Sequence, residues 1–165
     1  MLYFGYGSNM CTGRLRARVS SANPLGKCFL RNYRFSFNKS STDGSGKGNI
    51  ENVDTSEEVV WGVLFELDPQ QKHLLDRAEG LGHGYNEITQ EIELENGQKH
   101  RAVMYIADSD HIDNALKPYS WYKRFVMEGA AQHALPPSYI KFLDSFADKA
   151  DPNKSRDAEN RAIKC

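Results

Sequence analysis

Hydrophobic and polar positions divide the chain into a strand-rich part and a helical part. Apolar runs or period-two alternation predict strands at residues 2–4, 26–38, 59–67, 85–94 and 99–107. The run VVWGVLFEL at residues 59–67 is almost continuously apolar, which is typical of a strand buried on both faces. Asn96-Gly97 separates the last two strands and predicts a tight hairpin turn between them.

Helical spacing of apolar residues predicts four helices, each with its own boundary signals. They lie at residues 10–19, from Asp68 to Gly80, from Ser120 to the break at residues 135–137, and from Ser138 onward. Hydroxyl or carboxylate side chains suited to N-caps precede or open all four, namely Thr12, Asp68, Ser120 and Ser138. Gln71 stands three residues after Asp68, which predicts a capping box. Gly80 suits the residue that ends the second helix.

Two segments lack these periodic patterns. Residues 39–49, KSSTDGSGKGN, are rich in serine and glycine and predict a mobile loop. Their GSGKG stretch does not have the GxxxxGK[ST] spacing of a phosphate loop, and no helical pattern follows it, so we do not predict phosphate binding there. Residues 148–165 are charged and poor in apolar side chains, which favours a frayed tail or an accessory helix.

The order of the elements indicates the fold class. Strands dominate the first two thirds of the chain and helices the last third, which is typical of an α+β domain. A length of 165 residues without an internal repeat predicts one domain with a single core. Five or six strands with many aromatic residues favour a closed or partly closed sheet.

Composition narrows the classes of partner. The formal net charge of −1 gives no support for nucleic acid or an anionic membrane as a partner. We find no apolar run of membrane-spanning length, and the N-terminus does not have the pattern of a signal peptide.

The three cysteines, Cys11, Cys28 and Cys165, are odd in number and form no CxxC pair, which argues against a disulfide scaffold and favours a reducing cytoplasm. Five scattered histidines do not have the spacing of zinc ligands.

Glu79 stands out on physical grounds. It occupies the last turn of the helix that ends at Gly80, where the helix dipole disfavours a negative charge by about 0.3–1 kcal/mol. One interpretation is a surface glutamate beside Arg77, with Asp76 and Arg77 both solvated. The other is a carboxylate that points into a cavity, where it would suit a general base.

The opening stretch is the second feature that could take part in binding or catalysis. Residues 2–4 form an apolar strand, and Gly5 and Gly7 then bracket Tyr6 before the polar pair Ser8-Asn9. Glycines at a strand end let a ligand or another backbone approach closely, and free backbone N–H groups in such a turn can bind an anion. The plainer interpretation is a first strand that runs into a glycine-rich turn.

Several motifs together resemble one family. They are YFGYGSNM at residues 3–10, VWGV at residues 60–63, LDRAEG at residues 75–80, YKR at residues 122–124, GA at residues 129–130 and LP at residues 135–136. Their order and spacing resemble the gamma-glutamylcyclotransferase family from residue 1 to about residue 146. The opening motif is nearer to that branch than to the gamma-glutamylamine branch, whose motif more resembles YGTL.

The resemblance implies a fold, a reaction and a site. It implies a mixed-strand, β-barrel-like domain at residues 1–147, flanked by helices and enclosing a polar cavity, with residues 148–165 as a charged tail. Members release 5-oxoproline from a small-molecule γ-glutamyl substrate and need no metal or organic cofactor. Glu79 matches the family's catalytic acid/base. Substrate-binding positions match Tyr3, Phe4, Gly5, Tyr6, Gly7, Ser8, Asn9, Tyr85 and Tyr122. The sequence is also compatible with a homodimer.

Alternatives remain open at this point. The N–H groups of residues 5–8 could stabilise an oxyanion or bind the substrate's α-carboxylate. Ser8 is disfavoured as a nucleophile, because no histidine or second base is tied to it by a motif and GxSxG is absent. A γ-glutamylamine cyclotransferase or related amide lyase is the second enzyme hypothesis. A binding domain that keeps the cavity without turnover is the hypothesis from another class.

Overall fold

The computed structural model describes residues 1–53, 55 and 57–165. Its strands are β1 Leu2–Gly5, β2 Asn23–Arg31, β3 Tyr33–Ser40, β4 Gly46–Asn52, β5 Val59–Glu66, β6 Tyr85–Leu94 and β7 Lys99–Ala107. Five of them close into a barrel in the order β1-β5-β2-β6-β7. All the pairs in the barrel are antiparallel except β7 with β1, which meet in parallel at Val103 and Tyr3. The predicted α+β class with a closed, mixed sheet is confirmed.

Helices flank the barrel. They are α1 Thr12–Arg18, α2 Lys72–Glu79, α3 Ser120–Gln132, α4 Pro137–Asp144 and α5 Lys154–Ala162, with short 3₁₀ turns at Ser8–Met10, Pro69–Gln71 and Ser109–His111. None of the helices in the described part of the chain is long and apolar enough to cross a membrane.

The apolar core connects the barrel interior to α3. Phe4 of β1 and Phe65 of β5 are fully buried, and so are Phe125 and Val126 of α3. These side chains come from three segments that are distant in sequence, and their burial supplies the main stabilising free energy. The same packing holds the N-terminal turn, residues 7–11, against the middle of α3.

The predicted strand over residues 26–38 is two strands in different sheets. Asn32 has a φ of +63°, the left-handed conformation that asparagine tolerates better than most residues. The chain turns there, so that β2 stays in the barrel while β3 leaves it and pairs with β4. The alternation of apolar residues runs through both strands, and for that reason it hid the turn.

The predicted loop over residues 39–49 is confirmed only for residues 41–45 and is wrong for the rest. Those residues form most of a hairpin, in which only residues 41–45 connect β3 to β4. Its glycines fill places where a side chain does not fit: a Cβ on Gly46 would lie 2.0 Å from the Phe37 carbonyl oxygen. The Gly46 N–H also donates to the Lys117 carbonyl at 3.0 Å. Here glycine permits close packing rather than flexibility.

Helix boundaries were predicted more reliably than helix caps. Asp68 caps as expected, since its carboxylate accepts from the Gln70 N–H at 2.9 Å. The predicted capping box is wrong, because the side-chain amide oxygen of Gln71 instead accepts from the Ser21 N–H. Cys11, Tyr119 and Pro136 occupy the N-cap positions that were predicted for Thr12, Ser120 and Ser138. Gly80 ends α2 in the left-handed conformation, as predicted.

The charged C-terminal residues, 148–165, include the accessory helix α5 and pack against α3. Asp151 anchors them: its side chain is fully buried and accepts hydrogen bonds from Arg156 and from the Trp121 indole N–H at 2.8 Å. The bonds from Arg156, followed by the bond from Trp121, hold the pKa of Asp151 well below its ordinary value. Arg124 of α3 donates to the carbonyls of Asn160 and Ile163.

Cys11 and Cys165 form a disulfide bond across a sequence separation of 154 residues, whereas Cys28 is free and buried. This corrects the expectation, drawn from the odd number of cysteines, that disulfide bonding plays no part in the fold. The spacing of cysteines along the chain cannot show such a pair, because only the packing of the C-terminal residues on α1 brings the two together. The Gly13 N–H, for example, donates to the Cys165 carbonyl at 3.0 Å.

We predict that Asp151→Asn lowers the midpoint of thermal unfolding by about 4 °C at pH 7, because it removes a charged acceptor of four hydrogen bonds. A carboxyl whose pKa is lowered in the folded state stabilises above its ordinary pKa and loses that effect as the pH falls. The difference between wild type and variant should therefore shrink below about pH 4. Asp157→Asn, which breaks an exposed pair with Arg161, is the control and should change little. A pH-independent difference would contradict this account.

Thiol titration of the denatured protein tests the disulfide. Without reductant we expect one reactive thiol, that of Cys28, and after reduction we expect three. Removing the cross-link with Cys165→Ser should lower the free energy of unfolding by about 2–4 kcal/mol. Three reactive thiols in the unreduced protein would show that Cys11 and Cys165 are not bonded.

Candidate active site

One polar cleft opens where the N-terminal turn meets the end of α2. Its empty volume is about 280 Å³, measured out to its open mouth. Its walls come from the turn after β1, the end of α2, β4, the start of β6, β7 and α3. The lining residues are Tyr3, Tyr6, Gly7, Ser8, Asn9, Gly48, Glu79, Tyr85, Tyr105 and Tyr122.

Glu79 points into this cleft. Its Oε1 accepts a hydrogen bond from Asn9 Nδ2 at 2.7 Å and lies 3.4 Å from a guanidinium nitrogen of Arg18. Its side chain is only 16% exposed. These two donors offset the unfavourable position of a carboxylate at a helix C-terminus. The geometry thus favours the inward-facing interpretation over a solvated surface glutamate.

Asn9 fixes the position of the Glu79 carboxylate relative to the turn. Its amide nitrogen also lies 3.0 Å from the Tyr3 hydroxyl, and its carbonyl oxygen accepts from Arg18 at 3.0 Å. Asn9 therefore contacts β1, α1 and the end of α2 at once. Because each contact fixes a different direction, the Glu79 carboxylate has little freedom to rotate away from the turn.

Close backbone packing positions the turn itself. A Cβ on Gly129 of α3 would lie 2.5 Å from the Cys11 nitrogen and 2.5 Å from the Met10 carbonyl carbon. The absence of a side chain at Gly129 lets the turn lie directly on the helix. Ser8 is fixed from the other side, since its hydroxyl accepts from Arg14 Nε at 3.3 Å.

Five tyrosines surround the carboxylate and supply neutral hydroxyl groups. Burial is the largest cause that raises the pKa of Tyr3, Tyr6, Tyr85 and Tyr122, and the nearby charge of Glu79 raises each of them further. These phenols stay protonated at neutral pH and can donate hydrogen bonds, but they do not compete with Glu79 as a base.

Two of the tyrosines fix β4 against the cleft. The Tyr85 hydroxyl donates to the Gly48 carbonyl at 2.6 Å, and the Gly48 N–H donates to the Tyr122 hydroxyl at 3.1 Å. Tyr6 donates to the Tyr105 carbonyl in a similar way. The hairpin that was predicted as a loop is thus one wall of the site.

A second hollow adjoins the cleft and shares Ser8, Glu79, Tyr85 and Tyr122 with it. Its empty volume is about 450 Å³, and its other lining residues are mostly cationic: Arg14, Arg18, Lys39 and Lys47, beside Ser41 and Ala78. Burial lowers the pKa of Arg14 to about 10, so this guanidinium stays charged at neutral pH.

The structure brings most of the sequence-predicted site residues together. Eight of the ten line the cleft, whereas Phe4 and Gly5 lie behind it. Phe4 is fully buried in the core, and a Cβ on Gly5 would face the Phe65 ring at 3.2 Å. Asp76, which the sequence placed in solvent, instead accepts from the Tyr105 hydroxyl at 2.6 Å and pairs with Lys72.

Sequence reasoning did not find Gly48, Tyr105 or the cations of the second hollow. Gly48 was hidden by the loop-like composition of its segment, and Tyr105 by the alternation of an ordinary strand. Lys39 was hidden by the same loop-like composition, although it belongs to β3, where the β-bulge between Ser36 and Lys39 changes the register. Among the described residues, no group of three His, Cys, Asp or Glu could hold a metal ion.

Known proteins resemble this chain along most of its length. Residues 59–143 match the model of the AIG2-like family. Curated relatives named gamma-glutamylcyclotransferase from Bos taurus and from Homo sapiens are each 28% identical over 149 residues, covering 88% of this chain and 78% of theirs. A solved structure described as gamma-glutamyl cyclotransferase superposes with a TM-score of 0.86 at 24% identity, over 96% of both chains.

The contact between the turn and α3 yields a prediction. Gly129→Ala should destabilise the protein by about 1–3 kcal/mol, since the added methyl group meets backbone atoms that cannot rotate away. Denaturant titration measures this change. Glu128→Ala on the same helix removes only an exposed pair with Arg124 and should cost less than about 0.5 kcal/mol. Equal stability of the two variants would show that the turn does not pack on α3 as described.

Proposed function

This chain belongs to the AIG2-like family, and we propose that it is a gamma-glutamylcyclotransferase. The reaction would convert a γ-glutamyl compound into 5-oxoproline and a free amine or amino acid. The observation that carries the proposal is the hydrogen bond of 2.7 Å between Glu79 and Asn9, which brings an inward-facing carboxylate to a glycine-bracketed turn. The relatives named gamma-glutamylcyclotransferase support the same reaction.

Glu79 would act first as a base and then as an acid. The substrate's α-ammonium cannot attack while it is protonated, so the carboxylate accepts one of its protons. The freed amine attacks the γ-carbonyl carbon of the same molecule, and a five-membered ring closes. The bond to the leaving nitrogen then breaks as Glu79 returns the proton to that nitrogen. The ring nitrogen still carries one proton too many after the attack, and the released amine takes up that proton and leaves as an ammonium. Two protons thus pass from the α-nitrogen to the leaving nitrogen, and no water or second reactant is consumed.

The cleft would supply orientation and charge stabilisation. Both reacting groups belong to one molecule, so holding it in a folded conformer contributes much of the rate. The Gly7 N–H donates to no acceptor among the described residues, which leaves it free for the oxyanion of the tetrahedral intermediate or for the substrate's α-carboxylate. The hydroxyls of Tyr3 and Tyr122 also line the cleft as neutral donors.

Glu79→Gln tests the proposal. It keeps the size of the side chain and removes the base, so 5-oxoproline release from γ-glutamyl amino acids should fall by about 10²–10⁴-fold. Chromatographic detection of 5-oxoproline measures this loss, and circular dichroism checks that the variant is folded. Glu128→Gln changes an acid on the exposed side of α3 and should keep full activity.

Two outcomes would redirect the assignment. Full activity of folded Glu79→Gln would remove Glu79 as the base. Binding of γ-glutamyl compounds without any 5-oxoproline release by the wild type would favour a binding domain on the same fold.

A further inference from the structure

The second hollow carries more positive than negative charge. Four cations line it or border it, namely Arg14, Arg18, Lys39 and Lys47, against the two carboxylates of Glu79 and Asp43. A γ-glutamylamine has one carboxylate and one ammonium, and is neutral overall. A γ-glutamyl amino acid has an additional carboxylate on its leaving group. The excess of cations therefore suits the second class of substrate better.

Three of the four cations already have partners within the protein. Arg18 donates to Asn9 and lies against Glu79. Lys47 pairs with Asp43 at 2.7 Å. Arg14 donates to Ser8 and to the Asn160 side chain, and it lies over the Phe125 ring.

Lys39 differs from the other three. Among the described residues, its ammonium has neither a hydrogen-bond acceptor nor an ion-pair partner, although the residue is only 9% exposed. It lies 4.8 Å from the centroid of the Tyr85 ring, so it faces the same space as the cleft's tyrosines. Burial lowers the pKa of Lys39, and the charge of Glu79 partly opposes that shift. The ammonium is not among the fully buried polar atoms that lack a hydrogen bond, so it opens into the hollow, where a carboxylate ligand could reach it and form a charge-assisted hydrogen bond.

Its surroundings hold the ammonium in place. The backbone of Lys39 pairs with Lys47 across the hairpin and bridges to Ile112. A Cβ on Gly84 would lie 2.8–2.9 Å from the end of the Lys39 side chain, so glycine at that position leaves the space that the side chain occupies. The side chain is thus directed toward the hollow by contacts on several sides.

We propose that Lys39 is a specificity residue that binds a carboxylate on the leaving group, so that the enzyme prefers γ-glutamyl amino acids to γ-glutamylamines. This inference rests on the proposed cyclotransferase function. Lys39 lines the outer hollow and not the inner cleft around the Gly7–Asn9 turn. With the γ-glutamyl half in the cleft beside Glu79, the leaving half extends toward Lys39.

A matched pair of substrates isolates the carboxylate. The leaving groups of γ-glutamylalanine and γ-glutamylethylamine differ only in that alanine carries a carboxylate where ethylamine carries hydrogen. For the wild type we expect kcat/KM to be about 10–100-fold higher for γ-glutamylalanine, the range of a charge-assisted hydrogen bond. Lys39→Gln should remove that preference, mainly through a higher KM, and leave γ-glutamylethylamine turnover within about threefold. Lys39→Arg should restore part of the preference.

Control variants and the remaining outcomes complete the test. Lys99→Gln removes an equal charge on the exposed hairpin and should not change the ratio. An equal loss for both substrates in Lys39→Gln, or a wild-type ratio near one, would overturn the inference while leaving the cyclotransferase function intact. Failure of the folded wild type to turn over either substrate would instead overturn the proposed function, and this inference with it. Thermal unfolding of each variant, together with Lys39→Met as a second neutral replacement, separates loss of recognition from loss of fold.

Discussion

The candidate site depends on one hydrogen bond, the contact of 2.7 Å from Asn9 to Glu79. It joins residues 70 positions apart, so it exists only when the barrel has closed and α2 has docked on it. Closure requires β1 to pair with β5 on one side and with β7 on the other. The same pairing carries the turn after β1 to the end of α2. The barrel is therefore a positioning device as well as a core, because it determines where the carboxylate meets the turn.

Buried polar groups near Glu79 are matched in a consistent way. The tyrosines that surround it remain neutral, and the hydroxyls of Tyr6, Tyr85 and Tyr122 hydrogen-bond to backbone atoms of neighbouring strands. Of the cations near the site, Lys47 is paired with Asp43 and Arg18 with Glu79. This arrangement leaves few free charges facing the cleft, and those few are the ones that a substrate would meet. The electrostatic character of the site thus depends on which groups lack partners as well as on the excess of positive charge around the second hollow.

Local sequence patterns predicted the parts of the fold that local physics determines. The apolar run of β5, the Asn-Gly hairpin between β6 and β7, and the end of α2 at Gly80 all follow from residues close in sequence. The motif resemblance agreed with the closed sheet that strand number and aromatic content favoured, and it implied chemical roles for Glu79 and the opening turn. Caps were predicted less well, because the nearest hydroxyl is not always free: the Thr12 side chain, for example, contacts His133 instead.

The sequence could not show which glycines lie in tightly packed positions or which lysine side chains line the site. Gly46 and Gly48 resemble flexible loop residues in composition, yet each stands where a neighbouring group leaves no room or only tight room for a Cβ. Lys39 resembles an ordinary loop lysine in composition, yet it follows a bulge in β3 and its side chain lines the second hollow. Both misinterpretations have one physical cause: composition reports what a residue can do when it is alone, whereas long-range packing decides which face of the hairpin is enclosed. The hairpin is enclosed by Tyr85 and Tyr122, whose contacts with Gly48 span 37 and 74 residues. A segment that reads as a linker can therefore be a rigid wall of an active site when tyrosines from distant elements hydrogen-bond to its backbone.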